Sequence, residues 1–276
     1  MGYSCFELEI EDGIAHLRLS RPDQLNSMIP AFWTELPSAV AELNAREGTR
    51  VIVLSSTGRH FTSGMDLSVF KEGSQLKTDT SLDRERLRSL ILNLQDSFNC
   101  LERSRVPVMA AIQGGCIGGG VDLVCACDLR YATSTAFFCI QEINIGIMAD
   151  LGTLQRLPKL IPEGIVRELA YTGDRMPADR AKACGLVNEV FETQEKMLEQ
   201  VMTVARKIAG RSPLAIAASK EAISYVRDHS VADALQRTAD WQAAIFDRGH
   251  LLESVQASQE KREPSFPDLY PATAGL

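Results

Sequence analysis

Three carboxyl groups stand in apolar stretches where water would have to be given up to keep them charged. Asp122 lies between Val121 and Leu123, Glu142 follows the apolar residues 137–140, and Asp150 sits in the run 145–151. For Glu142 and Asp150 such surroundings tend to hold the proton to higher pH, which suits them to general acid–base work. Asp122 and Asp150 also have a plainer explanation. Asp122 in the first turn of a helix would be favoured by the helix dipole. Asp150 could be the N-cap of a helix starting at Leu151. Asp128, at the end of the buried run beside Leu129 and Arg130, reads as structural.

Two glycine-bearing segments could supply the complementary chemistry. Phe61-Thr62-Ser63-Gly64-Met65-Asp66-Leu67 places a glycine among small residues between a strand and a loop, where backbone can approach a ligand closely. A simple turn is the alternative. The second segment, residues 114–120, is Gly-Gly-Cys-Ile-Gly-Gly-Gly and runs from a strand into a helix-compatible stretch. Such a turn aims free N–H groups at an anion. The spacing is not G-x-G-x-x-G and no Gly-Lys-Ser/Thr follows, so phosphate cradling lacks its marks. The same geometry serves a developing oxyanion, and tight helix packing is the alternative. Other catalytic sets are poorly supported. There is no G-x-S-x-G elbow, and His16, His60, His229 and His250 are scattered. The seven cysteines are odd in number and irregular in spacing, and the Cys125/Cys127 pair is not C-x2-C. Buried reduced thiols are expected, and no metal site.

The elements that must position these groups follow from periodicity. Alternation at Phe6, Leu8, Ile10 and again at Ala15, Leu17, Leu19, around Asp12-Gly13, predicts a hairpin. A helix fits 30–45, with Phe32, Leu36, Val40 and Leu43 on one face; Pro30 suits its first turn and Pro37 should kink or break it. Residues 51–54 and 108–112 read as buried strands, 71–81 as a polar loop, and 82–102 as a helix. Residues 129–132 and 136–140 read as further strands. Beyond Pro158 helices dominate, at 163–171, 179–184, 195–209, 213–227, 231–246 and 250–261, with one last short strand at 186–190. An α/β core is therefore expected over 1–191, carrying the active site, followed by a helical C-terminal domain over 192–276.

Composition bounds the function classes. The chain has 276 residues, 45% hydrophobic and 24% charged, as globular proteins do. A formal net charge of −7 argues against a general nucleic-acid binder. No apolar run reaches the roughly 18 residues of a membrane span. Residues 1–11 lack a basic flank and an apolar core, and the end Ala-Thr-Ala-Gly-Leu is not a peroxisomal tripeptide. A cytoplasmic protein is expected.

Together these features resemble the crotonase superfamily, also called the enoyl-CoA hydratase/isomerase family, over nearly the whole chain. FTSGMDL (61–67) is similar to its first oxyanion segment and QGGCIGGGVDLVCACDLRYA (113–132) to its second; SVQASQEK (254–261) also fits. Most hydratases of that superfamily carry glutamates matching Asp122 and Glu142 and a small neutral residue at the place of Asp150. The acid in ADLGTLQRLP (149–158) makes the trio Asp122, Glu142 and Asp150 resemble the Δ3,5-Δ2,4-dienoyl-CoA isomerase branch.

The resemblance implies a ββα spiral core and a helical C-terminal trimerisation region, assembled as a trimer or hexamer. It implies an acyl-CoA thioester substrate, with CoA part of the substrate and no separate cofactor or metal. The oxyanion donors would be the N–H groups of Met65 and Gly119. Ser63, Gly64, Met65, Asp66, Leu67 and Gly119 would line the substrate. No nucleic-acid or membrane partner is implied. The alternatives are a 2-enoyl-CoA hydratase, in which Asp122 and Glu142 hold a water and Asp150 is only a cap, and a non-catalytic acyl-CoA- or RNA-binding homologue.

Overall fold

Asp12 and Gly13 both take positive φ, 48° and 77°, the geometry that closes a two-residue hairpin with the twist of its strands. The turn joins β1 (Phe6–Glu11) to β2 (Ile14–Leu19), paired from Glu11↔Ile14 to Phe6↔Leu19. The computed structural model describes residues 2–70 and 77–272. Seven more strands follow: β3 (Val51–Ser56), β4 (Val108–Ile112), β5 (Gly115–Ile117), β6 (Leu129–Thr133), β7 (Phe137–Cys139), β8 (Met176–Pro177) and β9 (Glu189–Phe191). The larger sheet has the order β1-β2-β3-β4-β6-β9, parallel after the first hairpin; the smaller is β5-β7-β8.

The chain passes from the large sheet to the small one twice, β4 to β5 and β6 to β7, with parallel pairing between successive turns. Two isolated parallel bridges, Thr62↔Cys116 and Met28↔Met65, carry the same stacking to earlier turns. This is the expected spiral, and it lays each strand-end loop on the next. The strands β5 and β8 were not expected; at three and two residues they are too short for alternation to show.

Ten helices complete the described residues: α1 (Phe32–Ala45), α2 (Ser81–Glu102), α3 (Gly119–Cys125), α4 (Thr153–Arg156), α5 (Glu163–Thr172), α6 (Ala178–Ala183), α7 (Gln194–Ala209), α8 (Pro213–Val226), α9 (Val231–Ile245) and α10 (Arg248–Glu260). Pro30 lies ahead of α1 rather than in its first turn, and Pro37 does not break α1, which runs on to Ala45. A proline leaves the carbonyl four residues earlier without its donor. Here that carbonyl, on Trp33, accepts from Ser97 Oγ of α2 at 2.9 Å. The helix α2 starts at a reciprocal cap between Thr80 and Asp83. Of the loop expected over 71–81, residues 71–76 lie outside the described residues. The last strand falls at Glu189–Phe191 rather than 186–190, although Leu186 and Val187 are buried.

The central strands of the large sheet, β3 and β4, are buried on both faces. Val51 and Val53 of β3 pack with Met197, Val201, Ala205 and Ala209 of α7, spaced four apart along one helix face. Ile52 and Leu54 point the other way, into the main core with Leu36, Val40 and Phe98 of α1 and α2. This alternation is the period-two geometry of a strand. Asp128 is structural, as expected. It accepts from Val108 N (2.7 Å) and from the buried Lys220 Nζ of α8 (2.8 Å), which also donates to Leu101 O and Val106 O. No helix among the described residues is long and apolar enough to cross a membrane.

Candidate functional site

The FTSGMDL segment is held by backbone on both sides of one residue. Met28 N donates to Gly64 O (2.8 Å) and Asp66 N to Met28 O (3.1 Å). Met65 between them has an N–H that meets no protein acceptor among the described residues. Gly119 is the first residue of α3, so its N–H has no acceptor within the helix, and none elsewhere among the described residues. Gly64 lies at φ +83°, and a Cβ there would come within 2.6 Å of Ile117 O and 3.4 Å of Gly119 N. Only glycine lets the two backbones meet so closely, and their meeting brings the two free donors together.

Two residues not singled out from the sequence hold this turn. Thr62, fully buried, donates its hydroxyl to Asn26 O (2.7 Å) and accepts from Gly64 N (3.1 Å). Asn26 itself, at φ +53°, donates to Thr57 O and His60 O. An asparagine between a strand and a helix was the only sequence signal for it. Ser63 N donates to Leu25 O. The carboxylate of Asp66 is committed to its own surroundings, accepting from Ser27 Oγ (2.8 Å) and Ser68 N (2.9 Å), and hydrogen bonds to these two serines hold its pKa down. Leu67 opens the short 3-10 helix Leu67–Phe70.

The three acids converge beside this turn. Asp122 is one helical turn beyond Gly119 and 1% exposed. Its Oδ1 accepts from Thr153 N at 2.6 Å, and its Oδ2 is buried with no partner. Glu142 stands in the first turn of the 3-10 helix Gln141–Ile145. Its carboxyl lies against the second glycine turn, since a Cβ on Gly118 would come 3.1 Å from Glu142 Oε1. Glu142 Oε2 is also buried without a partner. Asp150 is half-buried in the irregular stretch before α4. The helix after it begins at Thr153, not Leu151, and the carboxyl that takes up the Thr153 N–H belongs to Asp122. The capping role considered for Asp150 thus falls to Asp122, from another turn of the spiral.

Burial raises the pKa of all three. Asp122 is pushed up to about 6 by burial, with the charge of Asp150 adding to it and the hydrogen bond from Thr153 opposing. Glu142 is pushed up to about 7, first by burial and then by the charges of Asp122 and Asp150. Asp150 is raised by burial. Carboxyls that sense one another's charge can hold and pass a proton near neutral pH. The space beside Gly119 is walled by Met28, Trp33 and Phe98. Trp33 and Phe98 meet edge to face at 5.4 Å, so apolar side chains pack beside Gly119.

A stability consequence follows from Glu142. Its native pKa of about 7 lies above the ordinary 4.5, so the folded state binds this proton more tightly than the unfolded state. The stability contributed by protonation is full below pH 4.5, declines as pH rises, and is gone above about 7. Glu142→Gln removes that titration. The variant should be more stable than the unmodified protein at pH 8, by about 1–3 kcal/mol, with the difference shrinking toward pH 5. Denaturant midpoints at the two pH values check this; equal differences at both would show that Glu142 is not perturbed.

Residues 9–269 match the enoyl-CoA hydratase/isomerase family. The mitochondrial Δ(3,5)-Δ(2,4)-dienoyl-CoA isomerase of Homo sapiens is 41% identical over 255 residues, covering 91% of this chain and 77% of that protein. The peroxisomal Δ(3,5)-Δ(2,4)-dienoyl-CoA isomerase of Arabidopsis thaliana is 40% identical over 262 residues, 94% of each. The crystal structure of an enoyl-CoA hydratase from Bacillus anthracis superposes with a TM-score of 0.84 at 31% identity, over 96% of this chain and 99% of that one. With its two-sheet spiral and paired glycine turns, the chain belongs to the enoyl-CoA hydratase/isomerase family, the crotonase superfamily.

Proposed function

We propose that the protein is an enzyme that isomerises 3,5-dienoyl-CoA thioesters to 2,4-dienoyl-CoA thioesters. The observation that carries this reading is the third acid, Asp150, raised in pKa beside Glu142 and Asp122. The kinship with proteins named dienoyl-CoA isomerases supports it.

The chemistry runs by proton transfer. Glu142 removes a proton from C2, and the electron pair of the C–H bond delocalises onto the thioester oxygen. The N–H groups of Met65 and Gly119 stabilise that oxyanion, each such donor being worth about 10²–10³ in rate. The pair then moves along the conjugated chain: C2=C3 and C4=C5 form as C3=C4 and C5=C6 are lost, and Asp150 protonates C6. Solvent resets the two carboxyls. Asp122 orients the set through Thr153. The opposite assignment, with Asp150 as base and Glu142 as acid, gives the same product. No water is added, in keeping with the apolar side chains beside Gly119. CoA enters as part of the substrate, and the reading calls for no separate cofactor or metal. The place in metabolism is the β-oxidation of unsaturated acyl chains. The relatives named above are mitochondrial and peroxisomal; the cytoplasmic placement rests on the sequence alone and is part of this proposal.

Incubation with a 3,5-dienoyl-CoA tests the reading: the ultraviolet band of the conjugated 2,4-dienoyl thioester should appear. Hydration of crotonyl-CoA without that band would replace it with the hydratase reading.

Assembly is part of the proposal. Trp241, Phe246, Leu251 and Leu252 of the C-terminal region are 40–59% exposed, and Ile245 is half-buried among them. Trp241, Ile245, Phe246 and Leu251 border an apolar cleft of about 350 Å³ between α8, α9 and α10. An apolar surface of this extent needs cover, and a trimer or hexamer would supply it. Light scattering at micromolar concentration should return three or six times the chain mass; a monomer would refute the assembly.

A further inference from the structure

Asp150 rides on a stretch with little directional support. Among the described residues, the backbone of 148–151 makes one hydrogen bond to the rest of the protein, from Gln95 Nε2 of α2 to Asp150 O at 2.7 Å. Ala149 and Leu151 on either side are buried and set the depth of the stretch by packing, which is not directional. The hydrogen bond sets the rotation of the peptide, and with it the aim of the Asp150 side chain. A carbonyl can only accept, so the amide of Gln95 must present its NH2 group.

The same face of α2 grips the other end of the segment. Asn99 and Glu102 follow Gln95 at i+4 and i+7, one above the other along the helix. Asn99 Oδ1 accepts from Arg156 Nη2 (2.6 Å), and Glu102 Oε2 accepts from Arg156 Nη2 (2.9 Å) and Nε (3.2 Å). One stripe of α2 therefore clamps residues 150–156 at both ends. The arginine clamp fixes the helical end, and among the described residues Gln95 alone hydrogen-bonds the backbone of Asp150.

We infer that Gln95 is a positioning residue for Asp150, holding its peptide so that the carboxyl meets the distal carbon of the substrate's conjugated system. The inference rests on the functional reading above, in which Asp150 donates at C6. A misplacement of about 1 Å can cost as much as 10²-fold in rate.

The test uses Gln95→Met, of similar length but without a donor, and Gln95→Glu, whose ionised carboxylate can only accept. Three quantities are read on the full-length protein: kcat and KM for dienoyl isomerisation, and wash-in of solvent deuterium at C2 of a saturated acyl-CoA. Wash-in needs the oxyanion donors and Glu142 but not Asp150. Both variants should lose about 10- to 100-fold in kcat, with KM and the wash-in rate held within about twofold. On an Asp150→Asn background, Gln95→Met should cost nothing further, because the two act through one group. Full isomerisation by Gln95→Met overturns the inference. So does a full additional loss in the double variant, or a loss of wash-in in Gln95→Met where Asp150→Asn itself spares wash-in, since either means that Gln95 supports more than Asp150. An unmodified protein that does not isomerise dienoyl-CoA brings down the functional reading and this inference together, before any variant is compared. A protein that isomerises but is indifferent to residue 95 brings down the inference alone.

Discussion

Gly119→Pro should abolish measurable turnover in a protein that still folds. Proline is well tolerated at the first position of a helix, where its missing N–H has no helical acceptor, and Gly119 opens α3. What the substitution removes is one of the two free donors beside the acids. Loss of a single such donor costs about 10²–10³ in rate, and the proline ring also intrudes where the thioester oxygen would sit. Gly119→Ala is the control, since it adds a Cβ but keeps the N–H. Its Cβ would stand 3.2 Å from Met28 Sδ and 3.9 Å from Phe98 and Trp33. A methionine tip can yield by a few tenths of an ångström, so the alanine variant should fold and retain a measurable rate. The gap between the alanine and proline variants reports the donor itself. Near-normal turnover by a folded Gly119→Pro protein would remove this backbone from the site.

Asp150→Asn separates isomerisation from hydration. Asparagine keeps the size of the side chain and leaves the Asp150 carbonyl free to accept from Gln95, but it carries no titratable proton. Isomerisation should fall by roughly 10²–10⁴, the range for a lost general acid or base. Stability should move by less than about 1 kcal/mol, because the side chain caps no helix and its ionised form is already disfavoured by burial. Deuterium wash-in at C2 should survive if Glu142 is the base, and should fall with isomerisation if the two roles are exchanged. A hydratase would depend on Asp122 and Glu142 and be indifferent to Asp150. Robust hydration of crotonyl-CoA that persists in Asp150→Asn, with no isomerisation by the unmodified protein, would sink the isomerase reading.

The fold was legible wherever its cause is local. The hairpin follows from alternation around Asp12-Gly13, and β4 from a short β-branched and apolar run. The helices after Pro158 follow from apolar spacing, to within two or three residues at their ends. The apolar neighbours of Glu142 and Asp150 already announced carboxyls that would hold protons, and the two glycine segments announced backbone donors. Much else depends on partners brought together by winding the chain. Pro37 is tolerated inside α1 because Ser97, 60 positions on, supplies the donor that proline removes. Asp122, in the first turn of its own helix, also serves the N-terminus of α4 because the spiral sets Thr153 against it. Thr62 and Asn26 lock a turn through bonds across 36 residues, and Gln95 reaches Asp150 across 55. Periodicity and turn chemistry act over a few residues and can be read in order along the chain. A hydrogen bond between distant residues exists only once the sheets have stacked the loops that carry them. The sequence by itself thus determined the kinds of groups available, free N–H donors and carboxyls in apolar stretches. The tertiary structure alone decided which of them face one another.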